Sequence, residues 1–362
     1  MKIGIITYHR SHNYGAVLQA YALKTYIGAL GHDVQIVDYW PGYHNNMYAM
    51  VDWSLFKNFR IRGCIRLLLK FPFIYFRKKR RRNLFIKFID TYLLSSSIGQ
   101  TNELYDIVVY GSDQIWRCQN TLAFKGYNEI YFGNEKIKAK KKITYSASMG
   151  IINSKDYDIK FLSKVLNNFK AISVRERDLV DFIQPLTSLV VVHTLDPVFL
   201  LSIAEWQKMS SPRQYAKPYI LLYNLQGNEK TSHIAQRLKQ SLRIPIISII
   251  GPIPFLNKPN EESVVGPKEF ISWISYAEYV ITSSFHGVAF SILMEKQFYV
   301  FQEVNLSRVK SLLSMAGIEN RFITDISTVV KLESIDYLLV REKINIAKLF
   351  SMEYLKKELE IE

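Results

Sequence analysis

The sequence predicts an α/β protein made of two Rossmann-like domains that face each other across a cleft. Its 362 residues are enough for about two domains. Short apolar segments alternate with amphipathic ones from residue 1, and the same alternation restarts at residue 219. A strand, a helix and a second strand fit within the first 39 residues, which is typical of a βαβ unit with parallel strands.

The first unit begins with a short apolar strand, Ile3 to Thr7. A helix is predicted from about Tyr14 to Leu30, because apolar residues recur there at steps of three and four. Asn13 is placed to cap its N-terminus, and Gly31 stands where a glycine commonly ends a helix. Later strands of this half are predicted over 34–39, 105–110, 142–146, 171–174 and 189–193.

The polar run 202–217, which contains Pro212 and is followed directly by Pro218, is predicted to be the boundary between the two domains. Strands of the second half are predicted over 219–225, 244–250, 278–283 and 298–302, and helices over 230–242, 267–276, 285–296 and 344–359. The predicted organisation is an N-terminal domain (1–201) with a basic insertion (55–92), a C-terminal domain (212–342) and a closing helix (343–362).

Composition excludes several classes of protein. Two cysteines, Cys64 and Cys118, are too few for a disulfide framework or a thiolate zinc site, which favours a reducing, cytoplasmic setting. The first apolar strand is too short for a secretion signal. The longest apolar stretch, 67–76, is interrupted by Lys70 and Pro72 and is well short of the ~20 residues that span a bilayer. We therefore expect a soluble protein.

The positive charge is concentrated in one segment, 57–87, which we call the basic block. It carries +12 of the net +15 and contains no acidic residue. Its basic residues are Lys57, Arg60, Arg62, Arg66, Lys70, Arg77, Lys78, Lys79, Arg80, Arg81, Arg82 and Lys87. Interleaved apolar residues suit the anionic inner face of a membrane, to which the protein would bind peripherally. A solvated helical face remains open as an alternative, and nucleic-acid binding is disfavoured because no motif for it is present.

Ligands of open parallel sheets bind beyond the carboxyl ends of the strands, which directs attention to the loops that follow them. The segment 283–287 is the sharpest of these, because it follows a strand and opens a helix whose backbone N–H groups attract anions. His286 in this segment can exchange a proton near neutral pH. A packed histidine without a chemical role is the alternative.

Two other loops carry residues that can bind polar ligands. Arg175 and Arg177 can hold a carboxylate or phosphate through paired hydrogen bonds, or form a salt bridge at an exposed helix start. Asp113, Gln114 and Trp116 can bind sugar hydroxyls and stack on a sugar ring, or they can cap a helix and pack one tryptophan.

We expect neither a metal nor a tightly held nucleotide cofactor. The first loop contains His9 and His12, but no third ligand accompanies them. The sequence has no glycine-rich dinucleotide motif after its first strand and no P-loop.

Six motifs in this order resemble the polysaccharide pyruvyl transferase family. They are KIGIITYHRSHNYGAVLQAYAL from Met1, VVYGSDQIW from Val108, YSASMG from Tyr145, SVRERD from Ser173, LDPVFLL from Leu195 and ITSSFHGVAFSILM from Ile281. The similarity extends from Met1 to about Arg321, and the collinear set is far more specific than any single motif.

The resemblance implies a glycosyltransferase-B type of fold and a transfer of the pyruvyl group from phosphoenolpyruvate to two hydroxyls of one sugar, which gives a cyclic ketal. The acceptor would be a cell-surface glycan or its lipid-linked precursor, made on the cytoplasmic face. By carry-over, Arg175 would hold the carboxylate or phosphate of the donor, and His286 would act there as acid or base.

The remaining assignments complete the predicted site. Asp113 would be a base or an anchor for an acceptor hydroxyl. The acceptor side, in the N-terminal domain, would include Asn13, Tyr14, Gln114 and Trp116. The donor side, in the C-terminal domain, would include Ser284 and Phe285.

One position departs from the family pattern. Well-described members carry Arg-Leu-His where this chain has Ser284, Phe285 and His286, so one donor-binding arginine is missing. Either Arg308 or Arg177 replaces it, or the donor differs. Two alternative functions therefore stay open: a nucleotide-sugar-dependent glycosyltransferase of the same architecture, and a non-catalytic protein that binds membrane or nucleic acid through the basic block.

Overall fold

The fold consists of two α/β halves, each built on a five-stranded parallel sheet. The computed structural model describes residues 1–44, 61–94, 98–150, 152, 158–225, 227–250, 261–262, 264–303, 306–324 and 333–360. The predicted start of the basic insertion at residue 55 lies outside the described residues, as do Lys57 and Arg60.

The N-terminal sheet has the strand order β3-β2-β1-β4-β7, so the chain starts in its centre. Ile3 of β1 pairs with Val34 on one side and with Ile107 on the other. Two short additional sheets complete this half: β5 with β6, antiparallel, and β8 with β9, parallel. The strands are β1 (Lys2–Ile6), β2 (Asp33–Val37), β3 (Ile98–Gly99), β4 (Tyr105–Tyr110), β5 (Gln119–Asn120), β6 (Lys125–Gly126), β7 (Ala139–Thr144), β8 (Ile172–Val174) and β9 (Val191–His193).

The C-terminal sheet repeats this plan with the order β12-β11-β10-β13-β14. Its first strand again lies in the centre, where Ile220 pairs with both Ile246 and Tyr279. The strands are β10 (Ile220–Asn224), β11 (Ile246–Ile250), β12 (Glu261–Glu262), β13 (Tyr279–Thr282) and β14 (Gln297–Val300).

Helices connect the strands of both halves. They are α1 (Tyr14–Ala29), α2 (Ile61–Phe88), α3 (Ile159–Leu166), α4 (Arg177–Ile183), α5 (Ile203–Met209), α6 (Glu229–Leu242), α7 (Pro267–Ser275), α8 (Phe285–Leu293), α9 (Leu306–Ala316) and α10 (Tyr337–Glu358). Asn13 caps α1 as predicted, since its side chain accepts a hydrogen bond from the Gly15 N–H.

One hydrophobic cluster joins the two halves. It contains the inner residues of both sheets, and Tyr14 at the start of α1 stacks on Phe270 of α7 with ring centroids 4.5 Å apart. The Tyr14 hydroxyl also donates to the Val265 carbonyl at 2.9 Å. Two further clusters cover the outer face of each sheet. Because the largest cluster is shared, the two halves support each other's packing.

Helices α3, α5 and α9 lie in segments for which no helix was predicted, and α2 lies in one where a helical face was only the alternative. Helix α2 contains most of the basic block and is followed directly by a π-helical turn, Ile89–Leu93. Helix α5 lies inside the run predicted to be a boundary, because Ser202 and Glu205 form a capping box that the polar composition hid, and Trp206 anchors it in the core. Helix α9 was not predicted at all.

The last helix returns to the N-terminal half. In α10, the Ser351 hydroxyl accepts from the Leu195 N–H at 2.9 Å, and the Tyr354 hydroxyl donates to the Thr144 carbonyl at 2.9 Å. These bonds tie the end of the described chain to the strand ends of the first half.

Candidate active site

A cluster of charged side chains, three of which are buried, lies where the two halves meet, beyond the carboxyl ends of the strands. Arg175 and Asp196 come from the N-terminal half, and His286 and Arg308 from the C-terminal half. We call these four residues the charged cluster. Their proximity is a product of the packing between halves, because they lie far apart along the chain.

Arg175 is the centre of the cluster and is only 3% exposed. Its Nη1 donates to Asp196 Oδ2 at 2.7 Å, and Nη2 lies 3.8 Å from Asp113 Oδ1. Nε and Nη2 are buried and find no hydrogen-bond partner among the residues that the structure describes. Buried donors without partners are costly, so this guanidinium is prepared for an anion that would complete its hydrogen bonds.

Asp196 connects Arg175 to His286. Its Oδ2 lies 3.4 Å from His286 Nε2, a contact that is not aligned as a hydrogen bond. Burial opposes the charge of Asp196, but His286, Arg175 and the Val198 amide together hold the pKa of this carboxyl well below its usual range. Asp196 is therefore an anion at neutral pH and lies within contact distance of both Arg175 and His286.

The position of His286 depends on the glycine at the start of α1. A Cβ atom at Gly15 would lie 1.9 Å from His286 Nδ1, well inside contact distance. Only glycine therefore allows the first loop to approach the imidazole this closely. The first loop and the segment 283–287, which the sequence marked separately, meet at this contact.

Arg308 on α9 supplies a second cation. With the Gln114 amide oriented so that its oxygen faces Arg308, Nη2 and Nη1 donate to that oxygen at 2.7 and 2.8 Å. Burial and the neighbouring Arg175 lower the pKa of Arg308 to about 10, so it stays cationic at neutral pH. Phe285 lies beside both guanidiniums, with its ring centroid 4.6 Å from Arg175 and 5.9 Å from Arg308.

Glu176 is a buried acid beside the cluster that sequence reasoning did not assign. Its Oε1 accepts from the Ser148 hydroxyl and lies 3.5 Å from Arg175 Nε, while Oε2 has no partner among the described residues. Burial raises the pKa of this carboxyl in spite of Arg175 and Arg308. Glu176 and Asp196 both lie in motifs that carried the family resemblance, so the motifs held the signal that single-residue reasoning missed.

Asp113 lies at the edge of the cluster in an uncommon backbone conformation. Its φ of 71° is left-handed, which few non-glycine residues adopt outside special sites. This turn directs Oδ1 toward Arg175 and lets the same oxygen accept from the Gln114 N–H at 2.8 Å. The strained turn thus holds a carboxylate next to the buried arginine.

The other predicted site residues are placed differently. Trp116 is buried in the N-terminal core, where Nε1 donates to the Tyr131 carbonyl at 2.9 Å, so its indole does not face the cluster. Tyr14 is buried between the halves, and Asn13 is an exposed cap. The Trp116 position does not fit the predicted sugar stacking, because aromatic residues of the core enclose the ring.

Two predicted donor residues also differ from each other in position. The Arg177 side chain is 69% exposed and lies 3.9 Å from Asp181 of the same helix, away from the charged cluster. Ser284 is buried at the N-cap of α8, and its N–H donates to Thr282 Oγ1 at 3.0 Å. Of the two arginines that could replace the missing one, the structure brings Arg308 to the cluster and not Arg177.

In the part of the chain that the structure describes, no group of three or more His, Cys, Asp or Glu side chains has the arrangement of a metal site. No described helix combines the length and the apolar character needed to cross a membrane.

A family model described as polysaccharide pyruvyl transferase matches residues 13–303 of the chain. This range contains every residue of the cluster except Arg308, which lies just beyond it. A search of curated protein sequences gave no match.

Solved structures resemble the chain in fold. UDP-GlcNAc 2-epimerase from Neisseria meningitidis, bound to UDP-GlcNAc, is 10% identical, with a TM-score of 0.50 and 99% of each chain covered. The epimerase from Methanocaldococcus jannaschii is 12% identical, with a TM-score of 0.46 and coverage of 96% of this chain and 100% of that one. A spinosyn rhamnosyltransferase is 9% identical, with a TM-score of 0.44 and 99% of each chain covered. The predicted glycosyltransferase-B-like fold class is confirmed.

Proposed function

The chain belongs to the polysaccharide pyruvyl transferase family, and from this premise we propose that it transfers the pyruvyl group of phosphoenolpyruvate to two hydroxyls of a sugar. The observation that carries the proposal is the buried Arg175, whose Nε and Nη2 have no partner among the described residues at the point where His286 arrives from the other half. The product is a cyclic ketal on a polysaccharide or on its precursor.

The two arginines suit the two anionic groups of the donor. Phosphoenolpyruvate carries a carboxylate and a phosphate on one carbon, and guanidinium groups bind both of these anions through paired hydrogen bonds. Arg175 and Arg308 both lie beside the Phe285 ring and come from different halves. In this proposal Arg308 takes the role of the arginine that other family members carry at the position of Ser284.

The proposed reaction needs one proton at the methylene carbon of the donor. His286 delivers it, and the positive charge that develops on the adjacent carbon is stabilised by the bound carboxylate. One sugar hydroxyl attacks this carbon, the bond to the phosphate oxygen breaks, and the second hydroxyl closes the ring. The two hydroxyls lose two protons in total. One of these replaces the proton that His286 gave to the new methyl group, and the other leaves with inorganic phosphate. Asp113 accepts the proton of the attacking hydroxyl.

We further propose that the acceptor reaches the site from a membrane surface. Helix α2 exposes Lys79, Arg80 and Phe76, the last of which is 65% exposed. Such a surface suits anionic lipid, with about 1 kcal/mol from each basic residue near the membrane. A lipid-linked saccharide held there would be presented to the cleft, and the protein would work at the cytoplasmic face.

The test is a thermal-shift titration with phosphoenolpyruvate and, in parallel, with UDP and GDP. A ligand at 100 times its dissociation constant stabilises a protein by about 2.7 kcal/mol, which is a measurable shift. We expect a shift with phosphoenolpyruvate that is lost in Arg308→Gln and kept in Arg177→Gln. The second variant is the matched control, because it removes the same charge from an exposed position.

The titration is followed by an assay of phosphate release and of a new ketal methyl signal by NMR, over a panel of saccharides. A thermal shift with a nucleotide alone would replace the proposal with a nucleotide-sugar-dependent glycosyltransferase. Absence of a shift with phosphoenolpyruvate, together with no phosphate release on any saccharide, would overturn pyruvyl transfer.

A further inference from the structure

A second concave site lies in the N-terminal half, separate from the charged cluster. We call it the side pocket. It has a volume of about 400 Å³ and lies between the loops after β1 and β2, the C-terminal part of α2 and the π-helical turn. The lining residues that matter here are Arg10, His12, Trp40, His44, Arg82 and Asp90.

The pocket contains an aromatic surface and an unpartnered polar atom. Trp40 is half-buried and packs against the His44 ring, with centroids 4.8 Å apart. His44 is 6% exposed, and its Nδ1 has no hydrogen-bond partner among the described residues. A flat aromatic ring beside a hydrogen-bonding nitrogen is the combination that binds one face and one hydroxyl of a sugar.

The cations of the pocket differ in their availability. Arg10 donates to Asp38 through Nε at 2.6 Å and through Nη2 at 2.5 Å, so that its charge is already paired. Arg82 is exposed on α2 and forms no ion pair within the described parts of the chain. Burial lowers the pKa of His12 to about 4, and the positive charges of Arg81 and Arg82 add to this effect. Although Asp90 also lines the pocket, Arg82 remains available for an anion.

The side pocket is connected to the charged cluster through shared elements. His12 lines the pocket, while Gly15 of the same loop contacts His286. Tyr8 contacts the His44 ring at a centroid distance of 4.9 Å, and its hydroxyl donates to the Gln114 carbonyl at 3.1 Å. A saccharide in the pocket would therefore be close to the turn that carries Asp113.

We propose that the side pocket binds an acidic saccharide, with the sugar ring on Trp40 and a phosphate or carboxylate of the sugar on Arg82. The inference rests on the proposed function, because it names the class of acceptor that the enzyme would use: a sugar that carries an anionic group. It also makes the pocket, and not the buried Trp116, the place where an aromatic ring meets the acceptor.

The experiment measures the binding of three probes by titration calorimetry: glucose 1-phosphate, glucuronate and neutral glucose. The first two separate phosphate from carboxylate as the anion. We expect the tighter acidic probe to lose about tenfold in affinity in Arg82→Gln, as for the loss of one charge-assisted contact. Trp40→Ala should weaken all three probes, and Trp40→Phe should recover most of that loss.

Arg80→Gln is the matched control, because it removes the same charge from an exposed position on the same helix. Equal losses in Arg80→Gln and Arg82→Gln would reduce the effect to general electrostatics and overturn the pocket. Failure of both acidic probes to bind the wild-type protein better than glucose would overturn it as well.

Phosphoenolpyruvate binding separates this inference from the function on which it rests. We expect Arg82→Gln to bind phosphoenolpyruvate as the wild type does, and Arg308→Gln to bind the acidic sugar as the wild type does. Binding of the acidic sugar without any binding of phosphoenolpyruvate would support the side pocket and overturn phosphoenolpyruvate as the donor. Binding of phosphoenolpyruvate without binding of the acidic sugar would overturn only the proposal for the side pocket. NMR signals of His12 and His44 that stay unchanged on addition of the acidic sugar would also remove it.

Discussion

The arginines of the charged cluster and those of helix α2 occupy opposite environments. Arg175 is 3% exposed and bonded to a buried carboxylate, whereas Arg80 lies on an exposed helical face with no acidic residue in the surrounding basic block. A buried charge that loses its partner is destabilising by several kcal/mol, while an exposed charge changes stability by a few tenths. An arginine in the cleft therefore matters through its position relative to its partners, whereas an arginine on the surface matters through the charge that it adds.

Arg175 is fixed in one orientation, whereas the exposed basic residues of α2 are interchangeable. Arg175 has a defined direction, because Asp196 holds Nη1 at 2.7 Å and leaves Nε and Nη2 for a ligand. Exposed arginines and lysines of α2 attract anions through their summed charge. Arg81 is intermediate, since it lies over the rings of Tyr14 and Phe85 and belongs to the packing between α2 and the core.

The largest effect on stability is expected when Arg175 is replaced by methionine. Asp196 would lose its closest cation in a buried position, which should lower the free energy of unfolding by about 3–5 kcal/mol. Arg80→Met should change it by no more than about 0.5 kcal/mol. Urea unfolding measures both. Similar values for the two variants would show that burial does not distinguish the role of Arg175 from that of Arg80.

The next effect concerns turnover. His286→Asn keeps a polar side chain beside Asp196 and removes the acid–base group, so the rate of pyruvyl transfer should fall by about 100-fold or more. Thermal unfolding checks that the variant is folded. His233→Asn, which changes a histidine outside the cluster, is the matched control. A His286→Asn rate within tenfold of the wild type would exclude His286 from the proton transfer.

A smaller effect is expected on the surface. The double variant Lys79→Gln/Arg80→Gln should weaken binding to anionic vesicles by about 2 kcal/mol at low ionic strength, since each basic residue contributes about 1 kcal/mol. Sedimentation with vesicles that contain phosphatidylserine measures this, and vesicles of phosphatidylcholine serve as control. Unchanged sedimentation would show that helix α2 is a solvated face and not a membrane-binding one.

The smallest effect separates two buried carboxyls by their pH dependence. The pKa of Glu176 is raised by burial, so its native form binds a proton more tightly than the unfolded chain, and stability falls as pH rises above the unfolded value. The pKa of Asp196 is lowered, against its burial, by His286 and Arg175, so its contribution is complete above the unfolded pKa and is lost as pH falls toward the folded one.

Glu176→Gln should therefore remove a decrease of stability that the wild type shows between weakly acidic and neutral pH. Asp196→Asn should instead flatten the loss of stability below about pH 4, the usual range of a carboxyl. Urea midpoints over this pH range measure both slopes. If the urea midpoints of the wild type and of Glu176→Gln change in the same way between weakly acidic and neutral pH, the assignment of a raised pKa to Glu176 is contradicted.

Local pattern was sufficient for the regular elements that the site depends on. The predicted helix from Tyr14 runs over Tyr14–Ala29, and the predicted strand over 105–110 is observed as Tyr105–Tyr110. The predicted helix from Phe285 begins at that residue, although it ends at Leu293. Helix α5 was missed, because the serines and the proline in the run 202–217 outweighed its short apolar pattern.

The alternation of strands and helices, the concentration of positive charge and the order of the six motifs are all readable from the sequence, because each depends on residues that are neighbours along the chain. Three-dimensional packing is needed to see that Asp196 meets His286, that Arg308 and not Arg177 joins Arg175, and that Trp116 belongs to the core. These outcomes depend on strand order and on the packing of one half against the other. Contacts of that kind join residues far apart in sequence, and no local periodicity records them.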